Sequence, residues 1–135
     1  MGYWEFTEHS FSLLSEFPNG TATSRKIDVP QRQQSFALYQ LGAAVAQWSN
    51  QSVSLPKFYG LRQYQRGSTL GMHLDAIRRV RKGHLDARVL SAIVHVAQRT
   101  EEDWPLCIED NDGRLHNVTV QPGQTILYES ARLAH

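Results

Sequence analysis

Between Gln31 and about Gln51 the apolar residues recur at helical spacing, with Phe36, Tyr39, Val45 and Trp48 read onto one face and Leu41 nearby. This predicts a helix whose aromatic side packs against a sheet. Pro30 suits its first turn, because the fixed φ of proline is already helical and its missing amide has no partner to lose there. Beyond Pro56 the pattern changes to short apolar runs bounded by breakers. Pro56 to Tyr64 reads as a strand, and Arg88 to Val96 as a near-continuous apolar run of the kind that forms a strand buried on both faces. Trp104 to Ile108 opens another. Asn111-Asp112-Gly113 is a hairpin turn, since Asp-Gly supplies positive φ angles, and it pairs 106–110 with 114–120. Gln121-Pro122-Gly123-Gln124 is a second turn, followed by a last strand over 125–128.

Hairpins at this cadence predict a mainly β, antiparallel fold with one covering helix, not alternating βαβ units. Residues 1–30 carry short apolar patches, Tyr3-Trp4-Phe6 and Phe11 to Phe17, broken by Pro18-Asn19-Gly20. They predict one or two short strands or a helical turn. Ala76 to Asp86, with Arg78, Arg79, Arg81 and Lys82, reads as a solvated basic loop. His95, inside the apolar run, reads as a hydrogen-bonded core residue, and His116 as a surface residue.

Length and composition narrow the classes. A chain of 135 residues, 41% hydrophobic and 20% charged, is long enough for one folded domain with one core. A net charge of +1 gives no global attraction to nucleic acid or anionic membrane, and neither is expected as a partner. Cys107 is the single cysteine, so no internal disulfide can form, and the sequence has no CxxC or Cys/His zinc spacing. No run has the length of a membrane helix, and no signal peptide is visible at the N-terminus.

The candidate chemistry lies in Tyr64-Gln65-Arg66-Gly67-Ser68-Thr69-Leu70-Gly71-Met72-His73-Leu74-Asp75. On an extended segment His73 and Asp75, two positions apart, point to the same side and can hold one metal. Iron oxygenases of the non-heme type need two histidines and one carboxylate on one face of the ion, with the remaining positions open. His135, the last residue, is the candidate second histidine. His-x-Asp alone is weak, and the chain contains it twice, the other copy being His84-Leu85-Asp86. Context favours the first: Tyr64, Gly67 and Gly71 suit a strand that bends close to a ligand, whereas the second copy follows the basic run.

The segment from Tyr64 to Asp75, then Arg88 to Val94, then Val118-Thr119-Val120-Gln121-Pro122-Gly123 and Leu127-Tyr128-Glu129-Ser130 ahead of His135, resembles the prolyl 4-hydroxylase-like branch of the Fe(II)/2-oxoglutarate dioxygenases. The resemblance covers roughly the second half of the chain and rests on order and spacing more than on any single motif. It implies a double-stranded β-helix, or jelly roll, within one domain of 1–135. In that domain 1–55 would give N-terminal support and 56–135 the core, truncated after the distal histidine and missing its last strands. It implies Fe(II), 2-oxoglutarate and dioxygen as cofactor and cosubstrates, with L-ascorbate a further candidate, and hydroxylation of a peptidyl substrate, prolyl being one candidate, or of a small molecule as 2-oxoglutarate leaves as succinate and CO2.

By the same resemblance His73, Asp75 and His135 fall on the iron ligands, Tyr64 on a tyrosine that binds the far carboxylate of 2-oxoglutarate, and Arg88 on an arginine opening the next strand. A buried carboxylate also calls for a cation. The family places it beyond the distal histidine, and Arg62, Arg66, Arg88 and Arg132 are the substitutes this sequence offers. Two other readings of the residues remain: a jelly-roll binding module with structural histidines, and a cupin-like metal site that does not use 2-oxoglutarate.

Overall fold

The helical pattern forms one helix, α1 (Gln31–Ser49). Pro30 precedes it, and its carbonyl accepts the amides of Gln33 and Gln34 at 2.9 and 3.1 Å, closing the first turn. Asn50 ends it in the left-handed conformation at φ 52°, with its amide returned to the Ala46 carbonyl. Asparagine tolerates that conformation better than most residues. A computed structural model describes residues 24–53, 57–75, 77–80, 84–87 and 89–135. The expectations for residues 1–23, and for Arg88, lie outside the described residues.

The side of α1 that is buried differs from the expected one. Val45 is buried, with Leu38 and Leu41 half-buried beside it, whereas Phe36, Tyr39 and Trp48 are 66, 76 and 48% exposed. The reason is angular. A helix turns about 100° per residue, so Phe36 and Val45 fall on opposite sides and cannot share a face. The buried side follows Gln34, Leu38, Leu41, Val45 and Ser49, and α1 rests on the strand Ser91–Val94.

Eight strands are described: β1 (Ser24–Ile27), β2 (Leu61–Tyr64), β3 (Ile77–Val80), β4 (His84–Ala87), β5 (Ser91–Val94), β6 (Leu106–Glu109), β7 (Leu115–Val118) and β8 (Thr125–Tyr128). They pair antiparallel as β1 with β2, β3 with β4, β5 with β8, and β6 with β7. The fold is therefore mainly β with one helix among the described residues. Within the stretch expected as a basic loop, β3 and β4 pair as antiparallel strands instead, with Ile77 opposite Ala87 and Val80 opposite His84. Ile77 and Val80 are β-branched and favour an extended backbone, which the density of positive charge obscured in the sequence.

The expected hairpin around Asn111-Asp112-Gly113 is present, with Leu106 opposite Val118 and Glu109 opposite Leu115. Its turn is a three-residue connection in which only Gly113 has positive φ, at 77°. Asp110 carries it: Oδ1 accepts the amides of Asp112 and Arg114, each at 2.9 Å, and Oδ2 accepts from His116 at 2.7 Å. The His116 hydrogen bond and the two amides hold the Asp110 carboxyl below its ordinary value of 3.8.

Tyr64, Ile93, Val120 and Tyr128 form the buried cluster, with Trp104, Leu106, Ile108, Val118 and Ile126 packed on it. Residues from β2, β5, β6, β7 and β8 thus share one core. His95 continues β5 and is fully buried. Its amide donates to Gln124 at 2.9 Å, its carbonyl accepts from Gly123 at 2.7 Å, and its Nδ1–H donates to the Val120 carbonyl at 2.9 Å. The histidine clasps the 121–124 turn to the core. No helix among the described residues is long and apolar enough to cross a membrane.

Candidate metal centre

The approach to the site is set by a turn after β2. The Ser68 amide returns to the Gln65 carbonyl at 3.1 Å and Gly67 sits at φ 77°, a conformation that glycine adopts without strain. The chain then runs extended to Asp75. Exposure alternates along it: Gly71, His73 and Asp75 are half-buried, whereas Met72 and Leu74 are 46 and 50% exposed. This is the period of two that the spacing of His73 and Asp75 predicts.

His135 reaches the same place through the backbone. The His73 amide donates to the His135 carbonyl at 2.8 Å, and the His135 amide donates to the His73 carbonyl at 2.9 Å. Two residues that exchange both hydrogen bonds are directly opposed in an antiparallel pair, and their side chains stand on one face. The imidazole rings accordingly lie 4.4 Å apart, tilted at 50°. Two further main-chain bonds fix the C-terminal segment, from the Asp75 amide to the Ser130 carbonyl and from the Glu109 amide to the Ala134 carbonyl, both at 2.8 Å.

His73, Asp75 and His135 each offer one ligand atom, and these atoms lie within 4.8 Å of one another. Donors about 2.1 Å from a shared ion sit roughly 3 to 3.5 Å apart, so side-chain rotations of about an ångström complete the set. Both rings are oriented by the main chain. His73 Nδ1–H donates to the Gly71 carbonyl at 3.0 Å, and His135 Nδ1–H donates to the Leu133 carbonyl at 3.0 Å. A carbonyl can only accept, so each Nδ1 carries a proton, and in the neutral form of each ring Nε2 is then the lone-pair atom a metal needs. The Tyr128 hydroxyl, 3.2 Å from His135 Nε2, is placed to donate to that nitrogen, in keeping with the same tautomer. One carboxylate and two neutral imidazoles form a donor set that suits a divalent first-row ion.

A pocket of about 130 Å³ adjoins the cluster and includes His135, Tyr64, Met72, Ile93, Trp104 and Cys107 in its lining. Tyr64 is 5% exposed and meets Trp104 edge to face at 5.2 Å between ring centres. No lysine or arginine lines the pocket among the described residues.

Of the four candidate arginines, Arg66 is 88% exposed and paired with Glu101 at 3.1 Å, and Arg132 is 65% exposed beside Glu129. Arg62 is buried at 3% exposure, two positions before Tyr64 on β2, with Nη1 3.3 Å from Ser24 Oγ. Arg88 lies outside the described residues. The second His-x-Asp copy occupies β4, of which the backbone is described.

Three contributors escaped the reading of the sequence: Ser91, Ser130 and Tyr128. Ser91 Oγ is 3.0 Å from Asp75 Oδ2 and 2.6 Å from Ser130 Oγ. Only the Tyr128-Glu129-Ser130 run ahead of His135 pointed to this region, and it assigned these side chains no part. Serines carry no pattern in a sequence until the strands that bear them are paired. The chain was compared with family models, with curated proteins and with solved structures, and it matches none.

Proposed function

We propose that the chain is a non-heme Fe(II)- and 2-oxoglutarate-dependent dioxygenase of the prolyl 4-hydroxylase-like type. The observation that carries the reading is the convergence of His73, Asp75 and His135, with both Nδ1 atoms committed to main-chain carbonyls. Two histidines and one carboxylate on one face leave further coordination positions for exogenous ligands, the arrangement that separates an oxygenase centre from a closed structural site. The strand order supports a jelly roll, because β5 pairs with β8 around the inner pair β6 and β7, and such nesting is how that fold is wound. The order of motifs from Tyr64 to His135 supports the same family.

When bound, Fe(II) with 2-oxoglutarate would activate dioxygen, one oxygen atom entering a C–H bond of a peptidyl or small-molecule substrate and the other entering succinate as 2-oxoglutarate loses CO2. The chain supplies placement. His73 and His135 hold the ion through neutral nitrogens, and Asp75 offsets one of its two positive charges. Tyr64 offers a phenol O–H to the far end of the cosubstrate. Met72, Ile93 and Trp104 give the pocket beside His135 an apolar lining.

Among the described residues no cation lines the pocket, which favours one rival reading, a cupin-like metal site that binds metal without 2-oxoglutarate. Adding 2-oxoglutarate anaerobically to the Fe(II)-loaded protein separates the two. The dioxygenase develops a visible charge-transfer band and, on admission of oxygen with substrate, releases succinate. A protein that binds Fe(II) tightly and shows neither response is the cupin-like site.

A further inference from the structure

Asp75 is held by more than its position in the chain. Its amide donates to the Ser130 carbonyl at 2.8 Å, and its Oδ2 faces the Ser91 hydroxyl at 3.0 Å. Ser91 Oγ is in turn 2.6 Å from the hydroxyl of Ser130, which is fully buried. The direction of these bonds follows from the inventory of protons. An ionised carboxylate only accepts, so the one proton of Ser91 goes to Asp75, and the one proton of Ser130 goes to Ser91. The two hydroxyls therefore form a chain with a single polarity that ends on Oδ2. Such a chain strengthens its terminal bond, because each donor is polarised by the one behind it.

The serines come from different parts of the fold. Ser91 opens β5 and stands opposite Tyr128, the last residue of β8, so the segment bearing Ser130 leaves the sheet directly beside it. The relay thus ties the carboxylate to the β5 and β8 pair on which the core is built. We propose that Ser91 and Ser130 are positioning residues that engage Oδ2, restrict Asp75 to one-oxygen ligation and so keep a coordination position open for an exogenous ligand. This rests on the reading of His73, Asp75 and His135 as a metal site. Without the Ser91 hydroxyl, the carboxylate is free to turn both oxygens to the ion and fill the position that the relay protects.

Co(II) and azide test the idea without turnover. Co(II) is titrated into the wild type, Ser91→Ala, Ser91→Thr and Ser130→Ala, and its visible absorption gives both affinity and coordination. Azide is then added to each loaded protein. Co(II) affinity in Ser91→Ala is expected to stay within the roughly 10- to 100-fold range of a lost supporting contact. Azide affinity is expected to fall at least tenfold in Ser91→Ala, to fall by less in Ser130→Ala, and to return in Ser91→Thr, which restores the hydroxyl. If Ser91→Ala does not fold, Ser130→Ala reads the same relay, and a weakened azide affinity there supports it. Azide binding of wild-type strength in the folded alanine variants overturns the relay and leaves the metal site standing. A wild type that takes up no Co(II) overturns the metal site itself, and the relay with it.

Discussion

His73 and His135 face each other as a doubly hydrogen-bonded backbone pair, each amide on the other's carbonyl at 2.8 and 2.9 Å. Main-chain pairing, rather than side-chain packing, brings the two candidate ligands together, and Asp75 joins them by the period of an extended chain. Metal binding and this pairing are accordingly coupled. An ion that binds the paired form alone, at a hundred times its dissociation constant, adds about 2.7 kcal/mol of stability.

Fe(II) or Co(II) is therefore expected to raise the Tm of the wild type. His73→Ala, Asp75→Ala and His135→Ala should each abolish that rise, and His84→Ala should preserve it. Calorimetric titration with thermal unfolding checks all four. Loss of binding in His84→Ala with retention in His73→Ala would transfer the site to the second His-x-Asp copy.

Tyr64→Phe removes the one phenol O–H that β2 contributes to the pocket lining and leaves the ring against Trp104. A hydrogen bond to a carboxylate contributes about 1.5 to 3 kcal/mol, so 2-oxoglutarate affinity should fall roughly 10- to 100-fold with Fe(II) affinity unchanged. Titration of the charge-transfer band reads the first quantity and calorimetry the second.

Cys107, the single cysteine, is half-buried and shares the pocket lining with His135. Alkylation by iodoacetamide should consequently obstruct the pocket. Metal with 2-oxoglutarate should slow the alkylation severalfold, and metal alone much less. Mass spectrometry of timed samples gives the rates, and any adduct on a thiol belongs to this residue.

Asp110 gives a pH dependence remote from the site. Its folded pKa is lowered by His116 and the turn amides, so its contribution to stability is present above the unfolded value and is lost as pH falls through the folded one. Asp110→Asn should lower the Tm at pH 7. The gap from wild type should close as the pH drops below 3.8, the ordinary value of this carboxyl. Thermal scans across that range test the sign.

His95→Leu removes the Nδ1–H bond to Val120 at a fully buried position. Leaving that carbonyl without its donor should cost about 1 to 3 kcal/mol, measured by denaturant unfolding. Amide exchange should rise first at 121–124, the turn that His95 clasps.

What the sequence made legible was local. Pro30 opens α1, Gly113 and Gly123 mark the turns, and the alternation around His73 survives in the fold because each of these is decided within a few residues. The buried side of α1 was misread because aromatic character was counted in place of angle, and Phe36 lies opposite Val45. The pairing of β3 with β4 was hidden by the charge of Arg78 and Arg79. The part played by Ser91 and Ser130 was beyond reach, because it exists only once β5 and β8 pair and the chain after Tyr128 returns beside Asp75. The meeting of His135 with His73 was anticipated from the ligand set that such an iron centre requires and from family resemblance, since nothing near either histidine specifies the other.

Both candidate imidazoles take their orientation from a peptide carbonyl two residues earlier in the chain, at Gly71 and at Leu133. Every amino acid carries that acceptor. Point replacements at 71 or 133 that leave the backbone path intact therefore cannot delete the group that selects the tautomer. The nitrogen offered to an ion is guarded against mutational drift at its nearest supports, and the vulnerability of the centre shifts to whatever bends the main chain.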